Sequence, residues 1–217
     1  MYKYIVIIHY TMNTKLLLAL IVYVSCLWGY HYLYFFITEF SGRDTKRSRM
    51  HDCIGTWFEN VLDYGDQLLC VHQIRNLIMA LTFQATMAVV LLGIIFGFAG
   101  VTGVIPEFPD IVTGMDLPVW LMVFTLIFSV LNFLLSLRNF TKITFLIRAS
   151  PDSLARLADD KPYRYLQKLF VNGNRYYTMG QRSILYSMVV LVWFLNVWLF
   201  IITVLMVTTV FAFKHDI

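Results

Sequence analysis

Four stretches of this chain contain no Asp, Glu, Lys or Arg: Leu16 to Thr38, Asn76 to Pro106, Leu117 to Leu137 and Ser183 to Phe213. Each reaches the roughly 20 apolar residues that a helix needs to cross about 30 Å of hydrocarbon. Between them the pattern changes to amphipathic. From Asp52, which suits an N-cap, Ile54, Trp57, Phe58, Val61 and Leu62 recur at the i, i+3, i+4, i+7, i+8 spacing of one helix face. This predicts a helix over 52–70, lying either along the membrane surface or against a counterpart in the third connection. That counterpart begins at Ser150-Pro151-Asp152-Ser153. It brings Leu154, Leu157 and, past Pro162, Tyr165, Leu166, Leu169 and Phe170 onto apolar faces, and it stops at Asn172-Gly173, giving 150–172. The predicted fold is all-α, one domain over 1–217: an integral membrane four-helix bundle with spans over 16–38, 76–100, 117–137 and 183–213. Its two cytoplasmic connections carry amphipathic surface helices. The last run, about 46 Å long if wholly helical at 1.5 Å per residue, must tilt or protrude.

Composition supports a membrane class. Hydrophobic residues make up 59% and charged residues 14% of the chain, with mean hydropathy +0.69, outside the range of ordinary soluble domains. The formal charge of +4 raises nucleic acid as a partner, but the basic residues sit in the connections. Arg43, Lys46, Arg47 and Arg49 lie between the first two spans; Lys142, Arg148, Arg156, Lys161, Arg164, Lys168 and Arg175 lie between the last two. The second connection has only Glu107, Asp110 and Asp116. The positive-inside rule puts both basic connections in the cytoplasm or its equivalent and both termini on the other side, with no nucleic-acid partner. Cys26, Cys53 and Cys70 are read as free thiols. The run ending Val24-Ser25-Cys26 is similar to a lipoprotein signal. Tyr23 and the aromatic sequence from Leu27 to Phe36 argue instead for a retained span, and Met12 is an alternative start.

Polar positions inside the spans suggest where helices meet. Thr82, Gln84 and Thr86 interrupt the second, and Gly93 and Gly97 repeat at small-xxx-small spacing. Asn132 and Asn196 interrupt the third and fourth and are plausible mutual neighbours. The predicted helix-helix contacts are therefore Gln84, Gly93, Gly97, Asn132 and Asn196.

Catalytic chemistry is sparse. His51-x-Cys53 and Cys70-x-His72 offer two Cys and two His in mirror order, as zinc uses. Residues two apart on a helix point in different directions, so no metal site is assigned. Asp63 with Asp66, and Asp159 with Asp160, read as solvated helix-end acids, and His31 as a structural histidine near the inner interface. Neither H-E-x-x-H, nor G-x-S-x-G, nor a phosphate-cradling glycine loop is present, and no cofactor is expected. Arg75, Arg138 and Arg182 each stand at the predicted inner end of a span. The plain reading is snorkelling anchors. The sharper one is a polar ligand site in which they converge with Asn76, Asn139 and Gln181 on an anionic lipid headgroup, another anion or a partner's carboxylate.

Three ordered blocks carry a family resemblance: Trp57 with Gln73 to Ala80; Ser129 and Asn132 with Ser136 to Asn139 and Phe145 to Ile147; and Gly180 to Ser183 with Tyr186, Trp193 and Asp216. On these the chain resembles the membrane-protein family called domain of unknown function 599. The resemblance implies a multi-pass helical membrane protein and brings no activity with it. Two functions are expected from different classes. The first is a non-enzymatic structural or interaction subunit of a homo-oligomer or larger membrane complex. The second is a small-solute or ion channel or transporter, which the scarcity of intramembrane ionisable groups disfavours.

Overall fold

The computed structural model describes residues 14–29, 46–102, 116–158 and 161–212, and among these every regular element is helical. Helix α1 is Thr14–Gly29, closing in a π-type turn at Ser25–Gly29. Then come α2 Lys46–Tyr64, α3 Gln67–Thr102, α4 Asp116–Leu146, α5 Pro151–Ala158 and α6 Pro162–Val190. A 3-10 turn at Leu191–Phe194 leads to α7, Val197–Phe211.

Local chemistry explains the breaks. Gly65 has φ 77, a left-handed conformation that glycine adopts at no steric cost, and it separates α2 from α3. The Ser150 carbonyl accepts from the amides of Ser153 and Leu154, and its hydroxyl meets that of Ser153 at 2.7 Å, so Ser150 caps α5 as expected. Pro118 sits in the first turn of α4, where its missing donor costs nothing.

Several boundaries differ from the sequence reading. Helix α2 already includes Lys46, so Asp52 is internal, its carbonyl accepting from the Thr56 hydroxyl at 3.3 Å. The helix predicted over 52–70 is two elements, with Cys70 in α3. The helix predicted over 150–172 is also two, and the second does not stop at Asn172-Gly173: α6 runs on to Val190. The larger departure is the fourth predicted span. The run 183–213 is not one helix, because α6 ends at Val190 and the chain turns at Asn196, whose backbone is extended.

Two segments, Gln67–Gly97 and Leu117–Leu146, are long and apolar enough to cross a membrane, and Thr14–Gly29 and Val197–Phe211 are shorter apolar helices. The spanning-length segments are covered unequally. Within its most apolar window α4 is 44% buried, whereas α3 is 11% buried.

The chain divides into two compact units. One comprises residues 1–43, 94–125 and 185–217, the other 44–93 and 126–184. In the first unit Tyr23, Met122, Tyr186, Val190, Trp193, Phe200 and Val204 form the core. Tyr23 stacks on Phe200 and meets Tyr186 edge-on, both at 5.9 Å. In the second unit Phe58, Ile74, Leu81, Phe133, Phe140, Ile143, Leu154 and Leu166 are buried together. There Trp57 and Phe58 of α2 pack on Phe170 of α6, and Gln167 donates to the His51 carbonyl at 2.6 Å. Of the two positions open to α2, this is the one against its counterpart in the third connection. His31, the second connection (103–115), Asp159, Asp160 and the charged C-terminal residues lie outside the described residues.

Candidate functional site

The second unit contains a polar seam between α4 and α6. On α4, Ser129, Phe133, Ser136 and Phe140 recur at i, i+4, i+7 and i+11, the spacing of one helix face. Facing them, α6 presents Gly180 and Gly173, seven residues apart. The Ser129 hydroxyl donates to the Gly180 carbonyl and the Ser136 hydroxyl to the Gly173 carbonyl, each at 2.7 Å. A Cβ added at Gly180 would stand 2.7 Å from the Phe133 ring, and one at Gly173 would stand 3.0 Å from the Phe140 ring. Each glycine therefore admits both a ring and a hydroxyl to the α6 backbone, and a serine proton bonds a carbonyl that already accepts within its helix. Asn132 is also buried, and its carboxamide nitrogen donates to the Phe128 carbonyl of its own helix at 2.8 Å.

Beside the seam, three side chains link α3 to α6. Gln181 donates to the Tyr177 hydroxyl at 2.8 Å and Gln84 donates to it at 3.4 Å. The Gln84 carboxamide oxygen is buried and has no hydrogen-bond partner. Flipping that amide would give its oxygen the tyrosine proton and orphan the nitrogen instead, so either orientation leaves one group unmet. An unmet buried polar group costs on the order of 1–3 kcal/mol.

The predicted arginine site is not assembled as one cluster. Arg75 and Asn76 are exposed on α3, Arg138 is exposed on α4 with Asn139 half-buried beside it, and Gln181 is half-buried. Arg182 is buried, at 6% exposure. The two serine–glycine pairs fix the antiparallel register of α4 and α6, which sets Arg182 level with Ile127 and Arg138 level with Val171. These levels are eleven residues apart along α4, about 16 Å, so the two guanidinium groups stand at different heights. Arg182 is also level with the middle of the apolar run 117–137 rather than its inner end.

The predicted helix contacts are redistributed as well. Gln84 faces Tyr177, but a Cβ at Gly93 or Gly97 would meet nothing within 4 Å. Among the described residues, nothing packs against either glycine. Asn196 is exposed and its side-chain oxygen accepts from the Trp198 amide at 2.8 Å, making it the N-cap of α7. Asn132 and Asn196 thus each serve their own helix. Thr82 and Thr86 are exposed and donate to carbonyls four residues back, a local bond that removes the need for a partner on another helix.

Sequence reasoning missed Gly173 and Gly180 as contact points, and the seven-residue repeat shared by the serines and the glycines was the available signal. Among the described residues no group of three or more His, Cys, Asp or Glu is placed to hold a metal ion. Cys53 is exposed and Cys70 buried, while His51 is half-buried and His72 exposed.

No curated protein and no solved structure matches the chain. The family model described as "Protein of unknown function, DUF599" matches residues 18–217. That match takes in the serine face of α4, both seam glycines and the Gln84–Tyr177–Gln181 link, and the chain is therefore a member of the DUF599 family.

Proposed function

We propose that this chain is an integral, multi-pass membrane protein that acts as a non-enzymatic structural or interaction subunit, in a homo-oligomer or a larger membrane complex. One observation carries the reading. The buried Ser129 and Ser136 of α4 are committed to the α6 backbone, while α3 leaves its apolar surface uncovered, with Phe83 66% exposed and Met79 and Ile94 similarly open. A mostly buried core helix is long and apolar too, but α3 is not mostly buried. A surface of this kind in water would be an aggregation liability, and in hydrocarbon or against another membrane helix it is at rest. Gly93 and Gly97, open on this helix, permit close approach by a partner helix. The basic first and third connections face the cytoplasm or its equivalent under the positive-inside rule.

Gentle detergent extraction followed by mass measurement tests the reading. Recovery in fixed ratio with other membrane subunits, or as a defined homo-oligomer, supports it; a detergent-solubilised monomer with no companions contradicts it.

A second reading, a small-solute or ion channel or transporter, is favoured by Arg182. A cation withdrawn from solvent and level with the middle of an apolar run is the kind of residue that marks solute paths in membranes. Reconstituted into liposomes, a transporter would show solute or ion flux that falls at least tenfold in Arg182→Gln. No flux above protein-free liposomes for inorganic cations and anions would remove this reading.

A further inference from the structure

Helix α6 keeps its cations on one line. Arg164, Lys168, Arg175 and Arg182 stand at i, i+4, i+11 and i+18, positions that fall within about 40° of one another around a helix and span about 27 Å along it. Gly173 and Gly180, which receive the α4 serines and rings, lie on the opposite face. Along the line exposure falls steadily: Arg164 and Lys168 are exposed, Arg175 is half-buried and Arg182 is buried. The next position on the line is Val189, so the cations stop at Arg182.

The register with α4 gives each cation a level. Arg164 and Lys168 stand level with Phe145 and Thr141, past the end of the charge-free run 117–137, whereas Arg175 and Arg182 stand level with Leu134 and Ile127, inside that run. A solvated helix face accounts for the outer pair. It does not account for the inner pair, because a guanidinium at the depth of an apolar layer is retained where polar groups or an anion meet it. Neither α3 nor α6 contains an Asp or Glu, and α4 has only Asp116 at its start, so no carboxylate along these three helices competes for the line. A row of like charges beside a low-dielectric layer focuses a field that draws anions inward. The planar guanidinium then binds phosphate oxygens two at a time. Arg164 and Lys168, about 6 Å apart along the axis, can share one phosphate at the outer end.

We infer that this face of α6 is a one-sided binding track for a phosphate-bearing anion, entered at Arg164 and Lys168 from the side of the third connection and ending at Arg182. Free phosphate and the phosphate of an acidic lipid present the same chemistry to it. The inference deepens the transport reading above, on which it rests for the depth of Arg182, by giving that reading a solute class. For the test, full-length protein in phosphatidylcholine nanodiscs is titrated with inorganic phosphate by calorimetry, and the protein in detergent is offered phosphatidic acid and weighed by native mass spectrometry. Saturable binding of at least one probe is expected; a calorimetric signal identifies free phosphate, and retained phosphatidic acid identifies the lipid. That binding is expected to weaken at least tenfold in Lys168→Gln and in Arg175→Gln. It is expected to stay within twofold of the parent in Arg175→Lys, which keeps the charge, and in Arg148→Gln, which removes an exposed cation outside α6. Binding of neither probe overturns the inference, and so does an equal loss in Arg148→Gln, which assigns the effect to net charge. Should Arg175→Gln not accumulate, Lys168→Gln, which alters an exposed side chain, decides alone. Liposome flux separates the two readings: binding without flux removes transport and keeps the track, whereas flux with neither probe bound removes the track and keeps transport.

Discussion

Gly180 and Gly93 are both helical glycines, yet their surroundings make opposite demands. Alanine at Gly180 drives a Cβ to 2.7 Å from the Phe133 ring and displaces the carbonyl that Ser129 bonds. Overpacking of this kind costs about 1–3 kcal/mol. Alanine at Gly93 meets nothing within 4 Å and gains up to about 1 kcal/mol of helix propensity. Thermal unfolding in detergent is expected to fall for Gly180→Ala and to hold or rise for Gly93→Ala; the reverse order would remove the seam. The thiols separate in the same way. Cys53 is exposed and Cys70 buried, so a soluble maleimide is expected to modify Cys53 within minutes and Cys70 only on unfolding, as read by intact mass. At this scale the sequence was partly legible. Gln84 stood out as an amide in an apolar run, whereas Gly93 and Gly97 advertised a contact that is not made among the described residues. A small-residue repeat states only that close approach is permitted; which glycine is approached depends on whether a complementary row, here Ser129 and Ser136, faces it.

Helix existence followed well from apolar runs and amphipathic spacing, and helix ends followed less well. Asn172-Gly173 has the chemistry of a helix stop, but α6 passes through it because Gly173 is held against Phe140 and Ser136. Tertiary packing overrides a local stop that is only a preference. The run 183–213 failed in the opposite sense. Nothing in its hydropathy reveals a turn, since Leu191 to Leu195 are as apolar as the arms, and Asn196 is the one local sign. With its side chain capping α7, Asn196→Ala is expected to cost about 1 kcal/mol, and Asn196→Ser to recover most of it. The melting temperature of both variants in the same detergent checks this, and an Asn196→Ala protein as stable as the parent would show that the cap does not hold the turn.

For the molecule as a whole, fold class and the membrane reading rest on different observations. The helical class is carried by every regular element among the described residues, and the family by a match over residues 18–217. The membrane reading rests on the contrast between an apolar, uncovered α3 and a polar seam enclosed between α4 and α6. Composition made that reading legible. The position of Arg182 was not legible, because linear sequence set it at the start of an apolar run and only the register with α4 sets it level with Ile127. The most direct measurement is alkaline carbonate extraction of membranes holding the full-length chain. The protein is expected to stay entirely with the membrane pellet and to leave only with detergent. Its release into the carbonate supernatant would contradict an integral membrane protein and every functional reading built on it.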